Sequence, residues 1–431
     1  MNTKQHDDDR DPSSRNVDRR EFLEVSSAAV GAALVGRGYG TCKDPRRVRP
    51  RKTTTPVLVT IFLRGGADAL SLVAPTGDAY YAGHRGAAAV GAPGSGAAVE
   101  GLAMDATFSM HPSLAGLHAA YTTTSSSLAV VHAVGAQPYN RSHFESQTLF
   151  ETGGFIGQFL DGWLNRHLKT GTSPQDAVRA LALTKTLPRI MAGSSPAYAV
   201  DSISDMAFVA TAPDARAILE HMLEKSRHEV EGRPIAGVQH GIGDALELID
   251  FFSGVDPTSY LPFNGAVYPT SDLGGRLQEI AQLIRADLGI EFFHADTGGW
   301  DHHTSLDTNI ATFGGGLDAA LSAFLQDLGA MMGSVVVLVM SEFGREVALN
   351  GSGGVDHGVG GGMLVMGGSC QGGQVHGTWP GLAPAALEDG RFLAPANDFR
   401  DVVLEVLDSH MGGVVPAEVF PGHNYNPLGI M

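Results

Sequence analysis

The residues best suited to chemistry stand in four short clusters, each at the end of an apolar run. Thr55 to Leu63 closes with Arg64-Gly65-Gly66-Ala67-Asp68, and Leu128 to Val134 is followed by Arg141-Ser142-His143-Phe144. Ile290 to His294 leads into Gly298-Gly299-Trp300-Asp301-His302-His303. Val335 to Met340 breaks into Ser341-Glu342-Phe343-Gly344-Arg345, and the Gly-rich loop after it ends in Asp356-His357-Gly358. Carboxylates and imidazoles are the usual oxygen and nitrogen ligands of divalent cations. Open α/β sheets place their sites outside the C-terminal ends of strands. Together these features point to a metal-assisted hydrolase.

Each cluster also has a plainer reading. Asp68 either offers its oxygens to a cation or caps the helix that follows. Arg141-Ser142-His143 stands at a helix N-terminus, where amides and dipole favour an anion. There Ser142 is either a nucleophile, if a base or metal takes its proton, or an ordinary N-cap. Asp301, His302 and His303 cannot all face one point, so alternation turns Asp301 and His303 to the same side. Glu342 closes a buried strand, where a carboxylate is costly unless paired or ligated. Arg345 either pairs with Glu342 or binds an anionic substrate. Asp356 and His357 sit in a loop with few other functional groups. His111, His294 and His376 read as structural or surface residues, and Cys370 as an incidental free thiol.

The elements that must position these clusters follow from the apolar pattern. Continuous apolar runs fit strands buried on both faces. They lie at Thr55 to Leu63, Leu128 to Val134, Val335 to Met340 and Gly362 to Gly367, with shorter candidates at Ala177 to Leu183, Ala197 to Val200 and Ile290 to His294. Helical spacing marks Leu114 to Tyr121, Glu145 to Thr152, Asp214 to Glu231, Ile242 to Phe252, Leu273 to Leu288, Leu317 to Met332 and Phe399 to Met411. Pro75 to Glu100, with little periodicity, reads as a loop or excursion. Strands alternating with helices predict an α/β fold with a mainly parallel central sheet flanked by helices. One large domain over 52–431, with a mainly helical middle near 155–288, is the simplest organisation.

Of 431 residues, 43% are hydrophobic and 17% charged, a globular composition. The net charge of −17 argues against a nucleic-acid footprint and against adsorption to anionic lipid. An anionic substrate would therefore need local positive charge, which bound cations supply. Two cysteines, Cys42 and Cys370, exclude a disulfide framework and a thiolate zinc site. Residues 1–51 read as a processing segment and disordered tail. Asp18-Arg19-Arg20-Glu21-Phe22-Leu23-Glu24 resembles the twin-arginine export motif, and an apolar stretch too short to span a membrane follows it. The expectation is a periplasmic or extracellular protein with no stable membrane span once the signal is removed.

In order, Phe-Leu-Arg-Gly-Gly-Ala-Asp68, Phe-Ser-Met-His111-Pro, Arg-Ser142-His143-Phe, Gly-Gly-Trp-Asp301-His-His303, Ser-Glu342-Phe-Gly-Arg345 and Asp356-His357-Gly resemble an exported family called domain of unknown function 1501. That family is similar to the alkaline phosphatase and sulfatase superfamily. The resemblance implies an alkaline phosphatase-like fold and a hydrolase of phosphate or sulfate esters using zinc, manganese or calcium. It implies Ser142 as nucleophile, on a helix ending in Thr152-Gly153. Asp68, Asp301, His303, Glu342 and His357 become ligands, and Arg345 or Arg141 a substrate clamp. Phe343 stands where the superfamily carries an imidazole; either His143 or Asp356 compensates, or the site holds a single metal. The alternative is a non-catalytic exported binding or assembly protein on a degenerate scaffold of this kind, with partners the sequence does not identify.

Overall fold

Strand β1 (Val57–Leu63) is buried at all its positions, and its side chains alternate between two cores. Val59, Ile61 and Leu63 join one apolar cluster, while Leu58 and Phe62 join another on the opposite face. Strand β6 (Val335–Met340) divides in the same way, with Val335, Val337 and Val339 on one side and Val336, Leu338 and Met340 on the other. An uninterrupted apolar run is what a central strand needs when both faces are covered. The computed structural model describes residues 55–123, 127–170, 178–204, 248, 251–252 and 255–431. The export-like segment, Cys42, the helix expected at Asp214 to Glu231 and most of that at Ile242 to Phe252 lie outside the described residues.

The remaining strands of the main sheet are β2 (Leu128–Gly135), β3 (Ala180–Leu183), β4 (Tyr198–Val200), β5 (Phe292–Thr297), β7 (Gly361–Gly367), β8 (Val375–His376) and β9 (Asn397–Asp398). Their order is β8-β2-β7-β6-β1-β5-β3-β4, with β9 also on β2. All pairings are parallel except those of β7, which runs against β6 and β2. The C-terminal ends of β1, β2, β5 and β6 therefore share one edge of the sheet, and the chain enters β7 at that same edge. The α/β architecture with a mainly parallel sheet is as expected.

Helices cover both faces. Among the described residues they include α1 (Ala69–Leu72), α2 (Tyr81–Arg85), α3 (Ala115–Thr122), α4 (His143–Thr152), α5 (Trp163–Thr170), α6 (Asp272–Ala286), α7 (Leu306–Leu328), α8 (Phe399–His410) and α9 (Pro416–Val419). Residues of α3, α6 and α7 fill one core, and those of α4, α5 and α8 the other. Two expectations need correction. Helix α7 starts eleven residues before the expected Leu317. Glycine disfavours helix, yet Gly314-Gly315-Gly316 lie inside α7; a Cβ on Gly314 would lie 2.7 Å from Ser113 Oγ, so close packing selects the small residue. The stretch Pro75 to Glu100 is not all loop, since it contains α2 and places Arg85 in full burial.

Candidate metal centre

Four loops at the shared strand edge bring the predicted residues together. The loop after β1 carries Arg64 and Asp68, that after β2 leads to His143 at the start of α4, that after β5 carries Asp301 and His303, and that after β6 carries Glu342, Arg345, Asp356 and His357. Tight glycine contacts lock these loops. Gly65 has φ +121°, and a Cβ there would stand 2.6 Å from the Asp301 amide nitrogen. The loops after β1 and β5 thus touch backbone to backbone, which only glycine allows.

Three imidazoles surround one carboxylate. Asp301 Oδ1 lies 2.9 Å from His303 Nε2 and 3.2 Å from His357 Nε2. Asp301 Oδ2 lies 3.5 Å from His143 Nε2. Ligand atoms of His143, Asp301 and His357 all fall within 4.8 Å of one another, and His303 Nε2 adds to them at 3.1 Å from His357 Nε2.

Every ring is fastened at its other nitrogen. His143 Nδ1 donates to Glu342 Oε1 at 2.9 Å, His303 Nδ1 to Asp356 Oδ1 at 2.8 Å, and His357 Nδ1 to the Arg141 carbonyl at 2.8 Å. Those partners only accept, so a neutral ring carries its proton at Nδ1 and a lone pair at Nε2. The three Nε2 lone pairs and the Asp301 oxygens then converge as acceptors. Among the described residues Arg345, at 2.5 Å, is the one committed donor that meets the Asp301 carboxylate. Such a convergence is repulsive unless a cation or further protons enter it. Metal-binding histidines are typically held in this way, through the second ring nitrogen, by a carboxylate or carbonyl. The donor set therefore fits a divalent metal.

The electrostatics agree with the geometry. Burial pushes the Glu342 carboxyl up, but hydrogen bonds from His143, Gln147 and the Gly65 amide hold it below the usual range. Burial likewise raises Asp301, and the Arg345 guanidinium outweighs it, so Asp301 is lowered. Hydrogen bonds from Asn350 and His303 keep Asp356 low. The Glu342 hydrogen bond raises His143 against burial, whereas burial lowers His357.

Several predicted roles change. Asp68 is not part of this cluster: both its oxygens are held by Arg85, at 2.6 and 2.8 Å, and Ser71 Oγ donates at 2.6 Å. It does not cap α1 with its side chain either. Arg345 is a fastener rather than a substrate clamp. Its buried guanidinium donates to the carbonyls of Gly66, Val355, Gly65 and Trp300 and to Asp301, and it does not pair with Glu342. Glu342 and Asp356 stand behind the imidazoles as their orienters, not in the ring of converging Nε2 atoms. Asp301 and His303 do turn the same way, while His302 turns into the core beside Trp300 and Phe313. Phe343 forms an apolar wall, with ring centroids 4.9 Å from both His143 and His357.

Ser142 is the exposed N-cap residue of α4, next to His143, and its side chain makes no cap hydrogen bond. Arg141 is exposed, donates to the His357 carbonyl at 3.3 Å and lies over the Phe392 ring at 4.6 Å. Sequence reasoning missed Arg85 and Gln147. Arg85 sits in a stretch without periodicity and gave no signal. Gln147 was visible as the i+4 neighbour of His143 on a helix.

Residues 277–412 match the model of a family described as "Protein of unknown function (DUF1501)", and over that stretch the resemblance read from the motifs holds. The match contains Asp301, His303, Glu342, Arg345, Asp356 and His357, while Asp68, Arg141, Ser142 and His143 precede it. No curated protein matches the chain. Among solved structures, a histidine-to-aspartate mutant of TAB5 alkaline phosphatase with magnesium bound in its M3 site matches at TM-score 0.29 and 10% identity, covering 73% of this chain and 91% of that one. A likeness at that level says nothing of the chemistry.

Proposed function

We propose that His143, His303, His357 and Asp301 form a divalent-metal centre and that the protein is a metal-dependent hydrolase of phosphate or sulfate esters. The observation that carries this reading is the convergence of three Nε2 atoms on Asp301 with every Nδ1 already fastened. Imidazole-rich sites suit zinc or manganese better than calcium, which prefers oxygen alone. A bound cation would supply Lewis acidity and offset the charge of an anionic ester in this acidic chain. The protein's own groups do the rest. Ser142 presents a hydroxyl at the N-terminus of α4, whose first-turn amides face an anion favourably. Arg141 adds a cation at the rim. Phe343 keeps water from one side of His143 and His357.

One observation favours a second reading. Arg345 is consumed by backbone carbonyls and Asp301, which leaves fewer groups to bind substrate. A centre that holds metal for binding or assembly would look the same. Loading the full-length chain with zinc or manganese and offering aryl phosphate and aryl sulfate esters separates the two. Hydrolysis that needs both metal and Ser142 supports the enzyme, and a metal-holding protein that turns over neither ester supports the module.

The Arg19-Arg20 pair and the apolar run behind it motivate export by the twin-arginine route. Retention of an Arg19→Lys, Arg20→Lys variant in the cytoplasm tests this. No helix among the described residues is long and apolar enough to cross a membrane.

A further inference from the structure

Helix α4 presents His143, Gln147 and Glu151 at i, i+4 and i+8, a single helical face. That face lies against the loops after β1 and β6. Gln147 Nε2 donates to Glu342 Oε1 at 2.9 Å, and the same oxygen accepts from His143 Nδ1 at 2.9 Å and the Gly65 amide at 2.8 Å. A carboxamide can present either end to a neighbour. Here Arg64 decides which. Its Nη1 donates to Gln147 Oε1 at 3.4 Å, and a guanidinium has nothing to accept with, so the amide oxygen must turn to Arg64 and the NH2 to Glu342. Arg64 is itself fixed by Asp296 at 2.6 Å and Glu151 at 3.1 Å.

We infer that Gln147 is a positioning residue for the metal centre: oriented by Arg64, it fixes the Glu342 carboxylate so that His143 carries its proton at Nδ1 and turns Nε2 to Asp301. Reversed, the amide would set its oxygen against a carboxylate. Glu342 would then swing away, and His143 would lose the acceptor that selects its tautomer. The effect on metal affinity rests on the reading of the cluster as a metal centre. The effect on the tautomer does not.

The test uses full-length Gln147→Glu and Gln147→Leu. Gln147 is half-buried, so both variants should fold. Two quantities are measured. One is zinc affinity, by competition with a chromogenic chelator. The other is the His143 tautomer in the metal-free protein, from long-range proton–nitrogen correlation of histidine-labelled samples at a pH where the ring is neutral. The wild type shows the Nδ1–H form. Both variants show a mixture and bind zinc about tenfold more weakly, and Gln147→Leu leaves the metal-free melting temperature unchanged. Arg64→Leu moves both readouts the same way, and Arg64→Lys, which keeps a donor, moves them less. Wild-type affinity and wild-type tautomer in both glutamine variants would overturn the inference. So would a loss of affinity that only follows a lower melting temperature while the tautomer stays fixed. A wild type that binds no zinc removes the metal reading, and the tautomer comparison then decides on Gln147 alone.

Discussion

His303 and His357 face each other through their Nε2 atoms at 3.1 Å, although each has already committed its Nδ1–H, His303 to Asp356 and His357 to the Arg141 carbonyl. Two lone pairs at that distance, with an Asp301 oxygen 2.9 and 3.2 Å away, repel one another. Four loops from distant parts of the chain hold the arrangement in place. A cation at the focus of these acceptors would turn the repulsion into ligation.

Removing one imidazole should have opposite effects on the two forms of the protein. In His357→Ala, zinc occupancy collapses. The metal-free variant, relieved of one crowded acceptor, is as stable as the metal-free wild type or more stable by up to about 1 kcal/mol. Calorimetry with and without chelator reads both effects. A metal-free variant that is markedly less stable would contradict the repulsion.

Asp356 holds His303 from a partly exposed loop position and should tune the metal without supporting the fold. Asp356→Asn is expected to lower zinc affinity about ten- to a hundredfold while stability changes by no more than about 0.5 kcal/mol. Chelator competition and urea denaturation check the two halves separately.

Asp68 separates structure from ligation. Asp68 and Arg85 form a buried pair, with side chains 1% and 0% exposed. Asp68→Asn leaves the Arg85 charge without its partner and should cost about 3–5 kcal/mol, with metal content per folded chain unchanged. A stable variant that had lost its metal would return Asp68 to the ligands.

The same pair fixes a pH dependence. Burial raises the Asp68 carboxyl, but the Arg85 charge and the hydrogen bonds from Arg85 and Ser71 outweigh it, so its folded-state pKa lies below the ordinary value. A depressed acid contributes stability that is full above its unfolded pKa, about 3.9, and is lost as the pH falls through the folded value. Urea midpoints should therefore fall more steeply below about pH 4 in the wild type than in Asp68→Asn.

Legibility in the sequence differed from residue to residue. Val335 to Met340 was readable to the residue because a strand buried on both faces leaves an unbroken apolar run. The joint facing of Asp301 and His303 followed from alternation alone. The role of Arg345 did not, because a guanidinium that donates to four loop carbonyls looks, in sequence, like one waiting for a substrate. Glu342 stands at the expected strand end, but its carboxylate meets the Nδ1 of His143 rather than the converging Nε2 atoms. Only the register of α4 against that loop shows that His143 stands between Glu342 and Asp301. Arg85 lies in a segment with no periodicity, and the partner of Asp68 was out of reach for that reason.

Metal binding by the Asp301 cluster is tested by the metal content of the purified full-length chain, measured by mass spectrometry after dialysis against zinc and manganese at trace level. About one ion per chain is expected, lost in Asp301→Ala and on treatment with a chelator, which also lowers the melting temperature. A chain that folds, retains no metal under these conditions and melts at the same temperature in chelator would contradict it.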